Sequence, residues 1–104
     1  MVLDGIAFDS KREAERYSEL RILLKAGLIK DLVLQPAFEL QGKFRCRGKN
    51  YPAVTYRADF QYTETATGNV VVEDVKGVET EAFKIKKKLF LRKYGDAFDF
   101  RIVK

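Results

Sequence analysis

Residues 70–77, Val-Val-Val-Glu-Asp-Val-Lys-Gly, constrain the fold of this chain more than any other stretch. The run begins with β-branched apolar residues, a composition typical of a strand that is buried on both faces. Because residues two apart share one face of a strand, Asp74 and Lys76 point one way and Glu73 points the other way. Charged side chains are rarely buried without a partner or a metal. The stretch therefore predicts a core strand that also carries a polar site.

The composition limits the chemistry that such a site can perform. The 104 residues suffice for one domain spanning residues 1–104. The chain has no histidine, which excludes Ser-His and Cys-His nucleophile pairs and every histidine-ligated metal site. Its single cysteine, Cys46, excludes an internal disulfide and a zinc cluster within one chain. Oxygen ligands remain, and they suit Mg²⁺ or Mn²⁺.

Charge and hydropathy indicate the surroundings in which the protein works. The net charge of +5 is compatible with an anionic partner but does not by itself identify one. No apolar run approaches the ~18–20 residues that span a bilayer, and the first eight residues lack the features of an export signal. We therefore expect a cytoplasmic protein with no membrane partner.

A helix is predicted over residues 11–27, where Ser10 is a good N-cap and Gly27 is a C-terminal stop. Glu13 stands three residues after the cap and also falls on the apolar face of this helix. Two interpretations are open for Glu13. It either completes the cap or is a functional carboxylate that faces the core.

Four strands and a second helix complete the predicted order of helix, three strands, helix and strand. Strand 54–63 should place Asp59 on one face and Tyr56, Ala58, Phe60 and Tyr62 on the other. The second helix should turn Ala82, Phe83, Ile85, Leu89 and Phe90 inward. Such an order fits an α/β sandwich with helices packed on the faces of the sheet. The remaining elements are strands 32–40, 70–77 and 98–103, and a helix from Thr80 to about residue 94.

Two basic segments stand out against this framework. In residues 41–52 the cations recur at every second position, so a hairpin arm would present them on one face to a phosphate backbone; a solvated loop is the alternative. The second predicted helix has six cations and no anion over residues 83–94, which favours contact with phosphates over a solvated face. The candidate DNA-binding residues are Lys43, Arg45, Arg47, Lys49, Lys84, Lys87, Lys88 and Arg92.

The polar residues predicted to face inward form one constellation. Antiparallel pairing would bring Asp59 and Asp74 within reach of a shared divalent cation, the usual remedy for repulsion between close carboxylates. Lys76 can hold or help deprotonate an attacking water, or stabilise the charge that builds on a phosphate. This set suits metal-assisted phosphodiester hydrolysis. The alternative is a buried ion-pair network without catalysis.

These residues carry a family resemblance. Asp59, fourteen intervening residues and then Asp74-Val75-Lys76 resemble the PD-(D/E)XK nuclease superfamily, although Ala58 stands where that motif has proline. Residues 8–17, 56–60 and 72–77 resemble the small phage proteins of the domain-of-unknown-function 1064 group. The layout is also similar to that of phage endonuclease I type Holliday-junction resolvases, which share a Ser-x-x-Glu helix start like that of Ser10 and Glu13.

The resemblance implies a restriction-endonuclease-like αβββαβ core with a mixed central sheet flanked by helices. It also implies that Asp59, Asp74 and the Val75 carbonyl ligate Mg²⁺, for which Mn²⁺ can substitute. Glu13 would ligate the metal directly or through water, and Lys76 would position the attacking water. The implied activity is a magnesium-dependent endodeoxyribonuclease that acts as a homodimer on branched DNA in phage recombination. A less selective nuclease or nickase, and a non-catalytic DNA-binding module, are the alternatives.

Overall fold

The strand that begins at Val70 lies inside a four-stranded mixed sheet. The computed structural model describes residues 2–104. The sheet has the strand order β10-β9-β8-β3, in which β9 runs parallel to β10 and antiparallel to β8. In chain order the elements are β1 (Val2–Leu3), β2 (Ile6–Ala7), α1 (Lys11–Lys25), β3 (Ile29–Leu34), β4 (Ala37–Gln41), β5 (Phe44–Cys46), β6 (Lys49–Tyr51), β7 (Val54–Arg57), β8 (Phe60–Glu64), β9 (Val70–Val75), α2 (Glu81–Tyr94) and β10 (Asp99–Val103).

The two helices pack on opposite faces of this sheet. Val71 belongs to the apolar cluster that contains Tyr17 and Leu20 of α1. Its neighbour Val72 belongs to the cluster that contains Phe83 and Phe90 of α2. Alternation along β9 thus supplies both halves of the core, as expected of a strand covered on both faces. The two helices and four sheet strands follow the order helix, three strands, helix and strand, which confirms the predicted α/β order.

Helix α1 begins and ends where the sequence predicts a cap and a stop. The Oγ of Ser10 accepts a 3.1 Å hydrogen bond from the backbone N–H of Glu13. At the other end Gly27 has a φ of +75°, a conformation that costs glycine little. The backbone N–H of Leu28 donates to the carbonyl of Leu23 at 3.0 Å, which closes the helix end. The last helical residue is Lys25, two residues before the predicted end.

The predictions of continuous strands over residues 32–40 and 54–63 are wrong. The first stretch breaks at Gln35, whose φ is +51°, and at Pro36. The second breaks at Ala58 and Asp59. The two breaks are hydrogen-bonded to each other. The N–H of Gln35 donates to the Asp59 carbonyl at 2.9 Å, and the N–H of Ala58 donates to the Pro36 carbonyl at 3.1 Å.

The second break reverses the predicted alternation of side chains. Tyr56 packs in the α2 cluster, whereas Tyr62 packs in the α1 cluster. The prediction that these two tyrosines share a face is therefore wrong. The chain changes direction between them at residues 58 and 59, so the two-residue period does not carry through.

Helix α2 buries a narrower face than predicted. Phe83 and Phe90 are buried, and their spacing of seven residues places them two turns apart on one stripe. Ile85 is 60% exposed, Leu89 is 42% exposed and Ala82 is also exposed, so the prediction that these three face the core is wrong. Among residues 2–104, no helix is long and apolar enough to cross a bilayer.

Beyond the two breaks, the chain leaves the sheet as a two-stranded arm. Strands β4 and β7 pair at its base, and β5 and β6 pair towards its tip. Every residue from 41 to 55 is exposed. The Cα radius of gyration is 15.6 Å, against about 13 Å for a compact chain of this length. The arm accounts for the excess and gives the molecule a longest extent of 54 Å.

Candidate carboxylate and lysine site

Asp59 lies at the break between β7 and β8 and is fixed to the end of β9. Its backbone N–H donates to the carbonyl of Glu73 at 3.0 Å. Its Oδ2 accepts a hydrogen bond of 2.7 Å from the backbone N–H of Val75. These two bonds hold Asp59 against the C-terminal end of β9, with its carboxyl group beside Val75.

Asp74 is the most deeply buried carboxylate of this cluster, with 1% of its surface exposed. Its Oδ2 accepts a hydrogen bond from the hydroxyl of Tyr56. Burial and the nearby Asp74 raise the pKa of Tyr56, so the phenol remains a protonated donor. The Oδ1 of Asp74 is buried and accepts no hydrogen bond. This oxygen depends instead on the charge of a neighbouring ammonium, that of Lys76.

Lys76 lies beside Oδ1 of Asp74. Its Nζ is 3.2 Å from Asp74 Oδ1, and the two groups form an ion pair. The ammonium is also 5.0 Å from the centre of the Phe83 ring, and its side chain is about one-third exposed. Its backbone N–H donates to the carbonyl of Val103 at 2.9 Å. Lys76 therefore spans from the buried carboxylate to solvent, which confirms that Asp74 and Lys76 share a face.

Glu13 is buried in the first turn of α1, with 7% of its surface exposed. Its backbone N–H satisfies the helix cap, and its carboxyl group lies against that of Asp59. Both acids border a cleft of about 160 Å³ beside Gln35. Of the two interpretations of Glu13, the inward-facing carboxylate describes its position in the structure.

Two carboxylates of the cluster, Asp59 and Asp74, have a raised pKa and hold protons more tightly than free carboxylates. Burial and the adjacent Glu13 raise the pKa of Asp59 to about 7, against the opposing effects of the Val75 N–H and Lys76. Burial is also the main cause that raises the pKa of Asp74; Asp59 acts in the same direction, and Tyr56 and Lys76 oppose it. Burial is the main cause for both aspartates, and a neighbouring carboxylate adds to it; a bound cation would lower both pKa values.

Glu73 belongs to a different network on the α1 side of the sheet. Arg16 donates to both of its carboxylate oxygens, at 2.8 and 2.6 Å, and the Tyr62 hydroxyl donates to Oε2. Glu73 is fully buried, so this fork satisfies a charge that would otherwise be costly. The two-residue alternation of β9 predicts Glu73 on the opposite face from Asp74, and these contacts confirm it.

Sequence reasoning missed the partners Arg16, Tyr56 and Tyr62. One signal could have identified Arg16. It lies three residues after Glu13 and one before the core residue Tyr17, so helical spacing puts it at the border of the buried face. A buried glutamate on the strand below requires such a cation. No comparable signal marks Tyr56, because its position depends on the break at Asp59.

The four cations of the arm do not share one face, contrary to prediction. Arg47 and Gly48 form the turn with φ values of +49° and +77°. The register pairs Cys46 with Lys49 and Arg45 with Asn50. Lys49 therefore lies on the opposite face from Arg45, because the turn resets the two-residue alternation. Lys43 precedes β5, and all four cations are exposed.

The basic face of α2 divides into two kinds of cation. Lys88 and Arg92 are exposed, and neither forms an ion pair in the described part of the chain. Lys87 is half-buried and lies 3.0 Å from Glu79, while Lys84 lies 3.4 Å from Glu81. The unpaired cations are thus concentrated towards the C-terminal half of the helix.

The donor set fits a hard divalent cation in its chemistry. Asp59 and Asp74 supply carboxylate oxygens, the preferred ligands of Mg²⁺, and Asp74 Oδ1 is a buried oxygen without a hydrogen bond. Over residues 2–104, no three carboxylate or thiol groups already converge on a common metal position. Cation binding would therefore use the two aspartates together with backbone oxygen or water.

The fold and site define an α/β domain in which Glu13, Asp59, Asp74 and Lys76 cluster where the strands leave the sheet. The chain belongs to the family described as protein of unknown function (DUF1064), whose model matches residues 1–104. A search of curated proteins found no match.

Proposed function

We propose that this protein is a magnesium-dependent endonuclease that hydrolyses DNA phosphodiester bonds and is selective for branched DNA. One observation carries the proposal. A buried carboxylate oxygen, Asp74 Oδ1, has no hydrogen bond and lies beside Lys76, in a cluster with Asp59 and Glu13. In the Arg16–Glu73 network, by contrast, hydrogen bonds reach both oxygens of the buried carboxylate.

The arrangement of elements supports a restriction-endonuclease-like core. The chain order α1-β3-β8-β9-α2-β10 corresponds to the αβββαβ order of the PD-(D/E)XK nucleases that the sequence resembles. Asp59 precedes β8, and Asp74 and Lys76 stand at the end of β9, the positions that correspond to the motif of those nucleases.

Asp59, Asp74 and the Val75 carbonyl would hold Mg²⁺, and Glu13 would contribute directly or through water. When bound, the metal would lower the pKa of a coordinated water and offset the charge on the scissile phosphate. Tyr56 orients Asp74 by donating to its Oδ2. The N–H of Val75 fixes one oxygen of Asp59 in the same way, and the carboxyl group of Asp59 also lies against that of Glu13.

Lys76 supplies the positive charge that approaches the phosphate. Its Nζ is held near the site by Asp74 and the Phe83 ring while its side chain reaches solvent. From there the ammonium can donate to the attacking water or to a non-bridging phosphate oxygen. Asp74 and Lys76 border a second cleft, of about 320 Å³, together with Arg57 and Lys86, whose charges add to its attraction for DNA.

Two nicks across a junction require two active centres, and each chain supplies one. A homodimer is therefore part of the proposal, as is work in the host cytoplasm during phage DNA recombination. The basic arm and the face of α2 that carries Lys88 and Arg92 would contact the DNA backbone.

Incubation with a labelled four-way junction and a linear duplex of matched sequence tests this function. We expect paired nicks in the junction with Mg²⁺ or Mn²⁺, slower cutting of the duplex, and no cutting with EDTA. Equal cutting of the junction and the duplex would support the nuclease activity and contradict the selectivity for branched DNA. Binding of DNA without cleavage under every divalent metal tested would favour the non-catalytic DNA-binding module.

A further inference from the structure

The tip of the arm, residues 43–52, presents two aromatic rings to solvent. Phe44 and Tyr51 lie directly opposite each other on β5 and β6. Their rings are stacked with centroids 5.0 Å apart and planes 9° apart. Phe44 is 46% exposed and Tyr51 is 39% exposed. Such a surface costs free energy in water, so it points to a ligand with a flat apolar face.

We propose that Phe44 and Tyr51 form a stacking platform for an unpaired nucleobase of the DNA substrate. This inference rests on the proposed function, since the ligand is DNA. It adds a second contact of a different kind from the phosphate contacts of the basic residues. The platform would engage bases that a branch or a single-stranded segment leaves unstacked.

The charge around the rings matches a nucleic acid. Residues 41–55 contain Lys43, Arg45, Arg47 and Lys49 and no Asp or Glu. Within the described chain, none of these four cations forms an ion pair. An open cleft of about 550 Å³ borders both rings together with Lys43, Arg45, Asn50 and Pro52. Cations beside aromatic faces are the combination that single-strand binding sites use.

The same charges argue against a second copy of this chain as the occupant. Two such tips would bring eight unpaired cations together, because each tip carries four and no anion. Paired duplex bases are also a poor fit, because their flat faces are covered by neighbouring base pairs. An unpaired base in DNA fits both observations, because its strand is negatively charged and its flat face is uncovered.

The platform is built before any ligand binds. The two-residue turn at Arg47 and Gly48 has positive φ at both positions, as a type I′ hairpin turn requires. The Nζ of Lys49 lies 5.4 Å from the Tyr51 ring and helps to hold it. A preformed ring pair loses little conformational entropy on binding.

Two labelled strands of equal length test the platform, a thymidine oligonucleotide and an abasic strand with the same phosphates. Binding is measured in EDTA to prevent cleavage. We expect Phe44→Leu and Tyr51→Leu to weaken binding of the thymidine strand about tenfold and to leave the abasic strand unaffected. The control Tyr51→Phe keeps the ring and should retain the wild-type affinity. The salt dependence should be the same in all variants.

An equal loss on both strands, or no loss on either, overturns the platform. So does a change from dimer to monomer in sedimentation of Phe44→Leu, which would place the rings between copies of the chain. If the wild type cleaves a junction with Mg²⁺ but binds the two strands equally, only the platform is wrong. If the wild type neither cleaves nor binds DNA, the proposed function fails as well.

Discussion

The backbone N–H of Val75 donates a hydrogen bond of 2.7 Å to Oδ2 of Asp59, which joins the break before β8 to the end of β9. This bond brings an aspartate from the break between β7 and β8 to the two residues, Asp74 and Lys76, that flank Val75. It follows that the geometry of the cluster depends on the break in the chain at Asp59 and not on regular strand pairing.

Removing the charge of Asp59 should change how stability depends on pH. The pKa of Asp59 rises from 3.8 in the unfolded chain to about 7 in the fold, so the folded state binds the proton more tightly. Stability from this group is therefore fully present below about pH 4 and is lost as pH rises through 7. In EDTA, Asp59→Asn should lose this dependence and exceed the wild type at pH 8 by roughly 2 kcal/mol.

Urea unfolding of both proteins at pH 5 and pH 8 measures this difference. The exposed Asp96→Asn is the matched control and should follow the wild type. Parallel behaviour of Asp59→Asn and the wild type across this range would show that Asp59 is an ordinary carboxylate.

Arg16→Met should destabilise the protein by about 3 kcal/mol at neutral pH. The substitution removes the two hydrogen bonds that Arg16 donates, keeps the one from Tyr62, and leaves the fully buried Glu73 without its cation. Arg12→Met is the control, because its ion pairs with Glu15 and Glu19 are exposed and should contribute under 1 kcal/mol. Chemical denaturation measures the free energy of unfolding of both variants. Equal destabilisation by the two substitutions would contradict the structural role of the Arg16–Glu73 pair.

Tyr56→Phe should cost about 2 kcal/mol in metal-free protein. The variant deletes the hydroxyl that donates to Asp74 and leaves both carboxylate oxygens without a hydrogen bond. In Tyr94→Phe the lost bond is an exposed one, to the carbonyl of Glu39 at 2.9 Å, and its loss should cost less than half as much. Thermal unfolding distinguishes them. A smaller effect at Tyr56 than at Tyr94 would contradict the positioning of Asp74.

The cations of α2 should contribute unequally to DNA binding. Lys88→Met and Arg92→Met remove unpaired charges, and each should lower the slope of log affinity against log salt by about 0.9. Lys84→Met and Lys87→Met should have smaller effects, because these lysines pair with Glu81 and Glu79. Fluorescence anisotropy at several salt concentrations measures the slopes, with the exposed Lys25→Met as the control. Equal slopes for all five variants would place the DNA elsewhere.

The sequence predicted those features that depend on local periodicity. Alternation along β9 correctly separated Glu73 from Asp74, because this strand is regular and covered on both faces. The cap at Ser10 and the stop at Gly27 were also predicted, since each depends on residues within one helical turn.

The features that sequence could not predict depend on contacts between distant segments. The strand breaks at Gln35 and Asp59 stabilise each other across 24 residues, so neither is visible in its own segment. The Arg47–Gly48 turn places Lys49 on the opposite face from Arg45, although the cations recur at every second position in the sequence. The contact of Arg16 with Glu73 depends on the packing of α1 over β9, which the sequence around Arg16 does not reveal.

The cleavage rates of the Lys76→Met and Asp74→Asn variants test most directly whether Asp74 and Lys76 form the active centre. The rate of cutting of a labelled junction in Mg²⁺ would be compared among the wild type, both variants and Lys25→Met, with binding measured in parallel. We predict that both site variants lose at least about a hundredfold in rate and still bind the junction, while Lys25→Met cuts like the wild type. Undiminished cutting by Lys76→Met and Asp74→Asn would contradict the assignment of the active centre to these residues.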